Sequence, residues 1–515
     1  MASPTSPSPL SRPSSSPPAR SPPSGGTLPD PHLFVVLGAT GDLMQRKLLP
    51  SIYHLHIRGE VPRESVVLGA ARKPMDDAGF QALCTGALAA AGERDAAAVR
   101  NWVSTSLRYQ TLGDDGPGGP YASLASRIAS LEEERKLPGN RVFYLALPAE
   151  VVPKVVQGLG QAGLAKSPGW SRVVVEKPFG RDLASAVRLN QVLHGAFDES
   201  QIFRIDHYLG KETVQNLLVL RFANAFIESD WNREEVEDVQ ITVAESLGVE
   251  DRAGYYETEG AMRDMVQNHL TQVLTLVAME PPATWTADAV RNEKVKVLRS
   301  AHPLRSEDVV FGQYQAGTVG GRTVPAYQSE PGVKPGSRTE TFVALRMEIS
   351  NWRWHGVPFF LRTGKRMPAK STRVVVTFRA PPVSFFPRSA DYRMSPDRLT
   401  ILLQPDEGFE LSFEIKVPGR AIRTQTHRMR FHYADVFGTL SDGYEALLLD
   451  VLRGDPTHFV RADEVEEAWR LFDPILSNPP AVRPYAAGTL GPPEAQRIVE
   501  EIGHRWHDDG PPAGS

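Results

Sequence analysis

From His32 onward the chain alternates between short apolar runs and stretches with helical spacing. HLFVVLGATGDL opens as an apolar strand, turns on glycines and passes into a helical pattern at MQRKLLPSIYHLHIRG. ESVVLGAARK is a second apolar run, short and β-branched, which predicts a buried strand. NRVFYLALP and WSRVVVEKPFG repeat the pattern, each after a helical stretch. Such strands alternating with helices predict a parallel, doubly wound sheet. Past residue 205 the texture changes. In TETFVALRMEI, Val343, Leu345, Met347 and Ile349 alternate with Arg346 and Glu348. In GFELSFEIKVPG, Phe409, Leu411, Phe413, Ile415 and Val417 alternate with Glu410, Ser412, Glu414 and Lys416. With EDVQITVAES and TRVVVTFRA, these predict an antiparallel sheet with one wet face, its other face covered by helices such as 258–279.

The chain has 515 residues, beyond the usual reach of one core, so two domains are expected. We place a parallel-sheet domain at 31–204 and a second domain at 205–515. Residues 1–30 precede them; nine Pro and nine Ser fall within the first 29 residues, where Arg12 and Arg20 are the only charged side chains. That stretch lacks the apolar segment of a secretory signal, and its prolines forbid the amphipathic helix of a transit peptide. A disordered tail is expected. No run of about 18 apolar residues occurs, so no membrane-spanning helix is expected. A formal net charge of −4 gives no basic surface for nucleic acid or membrane. An anionic ligand would have to be met by a local cluster of cations. Cys84 is the only cysteine, which excludes an internal disulfide and a Cys-based zinc cage. It suits a reducing, cytoplasmic setting, and equally a buried structural thiol. No metal is expected.

Two stretches bear on nucleotide chemistry. GATGDL places Gly38 and Gly41 after a strand and before a helix, where backbone N–H groups can hold a pyrophosphate. The spacing departs from G-x-G-x-x-G, and a plain tight turn remains an alternative. At the end of the next strand, where NAD binders carry a carboxylate for the ribose 2′-hydroxyl, the chain has Arg72 and Lys73. A guanidinium can grip a 2′-phosphate that a carboxylate would repel, so NADP is the coenzyme expected, with use of NAD not excluded. Lys177 in EKP ends a later strand of the same sheet, and Pro178 predicts a rigid turn, with an unusual peptide geometry possible there, that fixes the lysine.

RIDHYLGKE, at 204–212, lies on the seam between the two halves, a usual place for ligand sites. A helix is predicted from about Lys211, with Val214, Leu217, Leu218 and Phe222 as its apolar stripe and Gly210 at its mouth. His207, Tyr208 and Lys211 then converge near a helix N-terminus that favours an anion such as a phosphate monoester. RTGKRMPAK offers Lys365 and Lys370 to the same pocket. Asp206 would repel phosphate and needs a different partner. GAMRDMVQNHLTQVL supplies one: His269, with Asp264 five residues before it. On an α-helix these two stand about 140° apart and would edge one cleft without stacking. Asp206 orienting His269 as general base suits oxidation of an alcohol, while Asp264 and Glu245 can accept from sugar hydroxyls.

GATGDL, EKPFGRD, RIDHYLGKE, RDMVQNHL and TGKRM occur here in the order they have in the glucose-6-phosphate dehydrogenase family, which the chain resembles over about 35–510. The resemblance implies an α/β plus α+β architecture: a Rossmann-like coenzyme domain, then a β+α domain with a large, mostly antiparallel sheet. It implies conversion of glucose 6-phosphate and NADP to 6-phosphogluconolactone and NADPH. By matching motif position, His269 would be the proton acceptor, Asp206 its partner, and Lys177 a group positioning substrate and nicotinamide. His207, Tyr208 and Lys211 would bind phosphate with Lys365 assisting; Lys370 stands where some relatives have Arg. Glu245 and Asp264 would bind sugar hydroxyls. Gly38, Gly41, Asp42, Leu43, Arg72 and Lys73 would face the coenzyme, as would Tyr144 in FYLALP. No second, structural NADP site is expected, and a homodimer or homotetramer is. Two other readings stand as alternatives: a glucose–fructose-oxidoreductase-type enzyme on unphosphorylated sugars, which has no use for the cationic cluster, and a catalytically silent NADP-binding regulator, which would be expected to lose His269 or Asp206.

Overall fold

The computed structural model describes residues 28–113, 120–383, 395–419, 422–438 and 442–508. Most of the expected tail, through residue 27, lies outside them. Six strands, β1 (Leu33–Leu37), β2 (Val66–Ala71), β3 (Leu107–Thr111), β4 (Arg141–Leu145), β5 (Ser171–Glu176) and β6 (Ile202–Ile205), form one sheet ordered β3-β2-β1-β4-β5-β6. Every pairing in it is parallel. The strand order reverses between β1 and β4, the switch point where such sheets open a crevice. Four of these strands are the apolar runs of the sequence; β3 and β6 were not anticipated. β3 is a polar edge strand, Leu-Arg-Tyr-Gln-Thr. β6 is only four residues long and contains Arg204, which is fully buried. Its guanidinium is held by Glu199 at 2.7 and 3.1 Å and by Asn190 at 2.9 Å. Arg204 thus serves the fold.

The turn after β1 is fixed by contact as well as by conformation. Gly38 has φ +92°, and a Cβ there would stand 2.2 Å from the Ala146 carbonyl oxygen beyond β4. Only glycine lets the two strand ends approach this closely.

A second sheet has nine strands. From one edge they run Thr424–His432, Gly408–Lys416, Arg398–Gln404, Ser371–Phe378, Val236–Ala244, Pro358–Gly364, Phe342–Glu348, Val309–Gln315 and Val482–Ala486. Two pairings are parallel, Val236–Ala244 with Pro358–Gly364 and Val309–Gln315 with Val482–Ala486. The others are antiparallel. The segment 253–278 packs across its centre and joins the main apolar core.

The expected wet face is not where the alternation put it. Along Gly408–Lys416 the polar Glu410 and Ser412 are buried, while Phe409, Leu411 and Phe413 are only partly covered and Ile415 is exposed. Arg430 and Arg428 neutralise Glu410 at 2.6 and 3.4 Å, which lets the polar side be enclosed. Phe342 and Ala344 are buried along with Val343 and Leu345, so that strand has no wet side over its first half.

The chain leaves β6 through a turn at Asp206–Gly210 and enters the helix Glu212–Phe222, with Lys211 at its N-cap. A Cβ on Gly210 would stand 2.3 Å from the Gly443 carbonyl oxygen and 2.7 Å from Leu447. That contact seats the helix Gly443–Arg453 against the turn. Gly210→Ala is therefore expected to destabilise the protein by roughly 1–3 kcal/mol, the usual range for overpacking. A denaturant midpoint equal to that of the unsubstituted protein would refute this account of Gly210.

Candidate active site

The site starts with the turn after β6. Asp206 is buried, and its Oδ1 accepts from the Tyr208 backbone N–H at 2.9 Å, which closes the turn. The same oxygen lies 2.6 Å from His269 Nδ1, and His269 is 1% exposed. A carboxylate on Nδ1 assigns the proton to that nitrogen and leaves the Nε2 lone pair open.

His269 comes from a segment that the sequence placed incorrectly. Met262–Leu270 is a π-helix, following Gly260 at φ +64°. Its i→i+5 pattern shows where the Thr271 N–H meets the Val266 carbonyl. Residues five apart come into line on such a helix, so Asp264 and His269 share a face and do not stand 140° apart. Lys177 bridges them. Its Nζ lies 3.0 Å from both the backbone oxygen and Oδ1 of Asp264, and 2.8 Å from His269 Nε2. An ammonium has three donors, and these contacts engage all three. Lys177 follows directly on the end of β5, and its peptide bond to Pro178 is cis. The Tyr255 hydroxyl donates to the same Asp264 oxygen at 3.1 Å.

The electrostatics follow from enclosure. Burial lowers the His269 pKa from its usual 6.5, opposed by Asp206 and aided by Lys177, so the ring is neutral at neutral pH. Burial alone would raise Asp206, but the charge and hydrogen bond of His269 bring it below the usual carboxylate range. Asp264 likewise falls against its burial, chiefly through Lys177.

Beside the dyad lies a cavity of about 560 Å³. His207, Tyr208, Lys211, Glu245 and Lys370, all singled out from the sequence, line it. The Tyr208 ring stacks on His269 at 4.3 Å, and Lys211 Nζ sits 3.8 Å over the other end of that contact, on the Tyr208 ring. Burial and the neighbouring Lys370 push the Lys211 pKa down to about 8, with Asp206, Glu407 and Asp442 opposing. Lys365 does not join this wall; its Nζ pairs with Glu245 at 2.8 Å. The sequence reading missed Lys47 and Tyr444, which also line the cavity. Lys47 reads as one cation of a basic helical stretch, and Tyr444 arrives from far along the chain to stack on His207 at 6.4 Å. Neither carries a local signal.

A smaller crevice, of about 320 Å³, lies at the ends of β4 and β5 and is lined by Leu43, Ala146, Pro148, Glu176 and Lys177, with Arg252 and Tyr255 opposite. Gly38 and Gly41 form the turn leading to it. Asp42 is exposed and pairs with Arg46 at 2.6 Å. Arg72 and Lys73 are exposed just past β2, and no carboxylate precedes them on that strand. Tyr144, expected to face the coenzyme, is instead fully buried and does not line the crevice. Its hydroxyl donates to Glu176, which Tyr444 also reaches at 3.2 Å.

Lys177 belongs to the wall of the smaller crevice and Tyr208 to that of the larger cavity, and His269 touches both residues. An imidazole so placed can take a hydroxyl proton from a ligand in one space while a hydride leaves toward the other. That defines a nicotinamide-dependent dehydrogenase. Two family models match the chain, "Glucose-6-phosphate dehydrogenase, NAD binding domain" over 35–216 and "Glucose-6-phosphate dehydrogenase, C-terminal domain" over 218–507. The chain belongs to the glucose-6-phosphate dehydrogenase family. It is 44% identical over 482 residues to glucose-6-phosphate 1-dehydrogenase of Aggregatibacter actinomycetemcomitans, covering 92% of this chain and 96% of that one. It is 45% identical over 489 residues to that of Mycolicibacterium smegmatis, covering 93% and 98%. A solved glucose-6-phosphate dehydrogenase in complex with glucose 6-phosphate superposes with a TM-score of 0.85 at 34% identity, covering 94% of this chain and all of that one.

The dyad makes a spectroscopic prediction. In histidine-labelled protein the His269 ring should titrate below 6.5. Because the Asp206 carboxylate favours the imidazolium, Asp206→Asn should lower that midpoint further. An NMR titration showing a rise would contradict the assigned pairing.

Proposed function

We propose that the chain oxidises the C1 hydroxyl of glucose 6-phosphate to 6-phospho-D-glucono-1,5-lactone, the first step of the oxidative pentose phosphate pathway, with NADP as oxidant. The observation that carries this reading is the buried Asp206–His269 dyad, with its open nitrogen on Lys177, beside a cavity walled by Lys211 and Lys370. NADP, when bound, accepts the hydride from C1. The switch-point crevice, the glycine turn and the exposed Arg72 suit that coenzyme, since nothing on β2 would repel a 2′-phosphate.

The contacts described above support a part for each residue. His207, Tyr208, Lys211 and Lys370 hold the phosphate. Glu245 and Asp264 accept from sugar hydroxyls, with Lys365 fixing Glu245 instead of binding phosphate itself. As the C1 hydroxyl enters, it replaces the Lys177 contact on His269 Nε2, and the freed donor of Lys177 turns to the sugar. His269 takes the hydroxyl proton as the C1–H bond breaks, and Asp206 stabilises the imidazolium. One proton goes to the ring and two electrons leave with the hydride. Gly38, Gly41, Asp42, Leu43, Arg72 and Lys73 surround the coenzyme, and Tyr144 acts on it through Glu176.

On this reading 31–204 binds NADP, and 205–515 binds substrate and supports self-association. The partly exposed apolar side of Gly408–Lys416 continues across the sheet edge at Met429, which pairs with Leu411, and supports a homodimer or homotetramer. No helix among the described residues is long and apolar enough to cross a membrane. We place the protein in the cytoplasm.

Absorbance at 340 nm tests the function directly: NADPH should form with glucose 6-phosphate far faster than with glucose, and a preference for free glucose would defeat the proposal. His269→Asn should lower kcat by about 10² or more, the lower end of what general-base catalysis contributes. Unchanged turnover would remove His269 from the mechanism. Lys211 is charged below its pKa of about 8 and neutral above it. The KM for glucose 6-phosphate should therefore rise as pH passes through about 8, and Lys211→Arg, which stays charged, should abolish that rise. A KM flat across this range in the unsubstituted enzyme would count against Lys211 as the phosphate anchor.

A further inference from the structure

The π-helix that carries Asp264 and His269 begins with a break in the chain. The helix Ala253–Ala261 contains Gly260 at φ +64° and ψ −179°, a conformation for which glycine is almost obligatory. The N–H groups of the next turn have no helical partner within their own segment. They are met from Glu340, which lies two residues before the start of the strand Phe342–Glu348. The Met262 N–H donates to Glu340 Oε1 at 3.0 Å, and the Ala261 N–H donates to the Glu340 backbone carbonyl at 2.9 Å. The fit is close: a Cβ on Gly260 would lie 2.3 Å from Oε1 and 2.7 Å from Oε2. The residue is partly buried as a whole, and the carboxyl is its enclosed end.

Thr341 extends the brace. Its carbonyl accepts the Lys365 N–H at 2.9 Å, and the Tyr485 hydroxyl holds the Lys365 carbonyl at 2.6 Å. Lys365 in turn pairs with Glu245. One two-residue stretch thus ties the start of the π-helix to the wall of the substrate cavity. We propose that Glu340 is a positioning residue: by capping the first turn of the π-helix, it holds Asp264 and His269 in the register at which Lys177 bonds both.

What the cap requires is reach. Burial pushes the Glu340 carboxyl up to about 7, with the Met262 N–H, its own backbone N–H and the charge of Arg263 pulling the other way. The group is therefore part-protonated near neutrality. A carboxyl oxygen accepts from Met262 in either form, so the negative charge is dispensable. A side chain one carbon shorter, by contrast, leaves the Met262 N–H without its acceptor.

The proposal rests on the dehydrogenase reading above, and a pair of variants separates the two. In Glu340→Asp, which keeps the charge and loses the reach, kcat with glucose 6-phosphate should fall about ten-fold, since small displacements of reacting groups are costly. Its KM should change by less than its kcat, because the phosphate-holding His207, Lys211 and Lys370 lie outside the π-helix and, of the sugar-binding groups, only Asp264 lies within it. Glu340→Gln, which keeps the reach and loses the charge, should retain kcat within about two-fold. A Glu340→Gln enzyme as impaired as Glu340→Asp, or a Glu340→Asp enzyme equal to the unsubstituted one, would overturn the proposal. Failure of the unsubstituted protein to form NADPH would instead overturn the function itself.

Discussion

The hydrogen bond between Asp206 and His269, 2.6 Å long and shut away from water, is the constraint on which the site depends. A lone buried carboxylate is costly, and a lone buried imidazole has no fixed tautomer. Together they meet each other's need. The ring keeps its proton on Nδ1, burial lowers its pKa against the opposing pull of Asp206, and Nε2 is left as a neutral base. Tyr208 enforces the pairing twice, by its N–H on Asp206 and by its ring on His269.

The second constraint is helical pitch. Had Met262–Leu270 formed an α-helix, Asp264 and His269 would face different directions and one lysine could not serve both. The wider turn puts them in line, and Lys177 spends all its donors on the pair. The strain of that geometry is concentrated at its entrance, where Gly260 takes a conformation open to glycine and Glu340 supplies the missing acceptor.

Charge is managed locally. The chain is net −4, yet three lysines, Lys47, Lys211 and Lys370, face one cavity. They come from the helical segment Met44–Leu48, from the N-cap of the helix Glu212–Phe222 and from the residue before the strand Ser371–Phe378, so the cavity exists only when these distant segments are folded together. Burial, and after it the charge of Lys370, lower the Lys211 pKa to about 8. Elsewhere buried charge is neutralised in place, as with Arg204 by Glu199 and Glu410 by Arg430.

The parallel sheet was legible because strands covered on both faces need apolar centres: β1 and β2 are apolar throughout, and β4 and β5 carry their polar residues, Arg141, Arg172 and Glu176 among them, toward their ends. The family motifs made the Asp206–His269 pairing, the convergence of His207, Tyr208 and Lys211 on one cavity and the glycine turn after β1 legible too, since each of these residues sits in a contiguous string of residue types. β3 and β6 were not legible: an edge strand need not be apolar, and a strand containing a buried arginine looks polar until Glu199 is brought to it. The alternation along Gly408–Lys416 was read correctly as a strand and wrongly as to which side is wet, because partners on neighbouring strands decide that. The pitch of the segment bearing His269, the burial of Tyr144 and the diversion of Lys365 to Glu245 were equally out of reach. Residue type and spacing determine which chemistry a chain can carry; which groups meet is decided by contacts between segments far apart in sequence, where a hydrogen bond of a few ångströms outweighs any local preference.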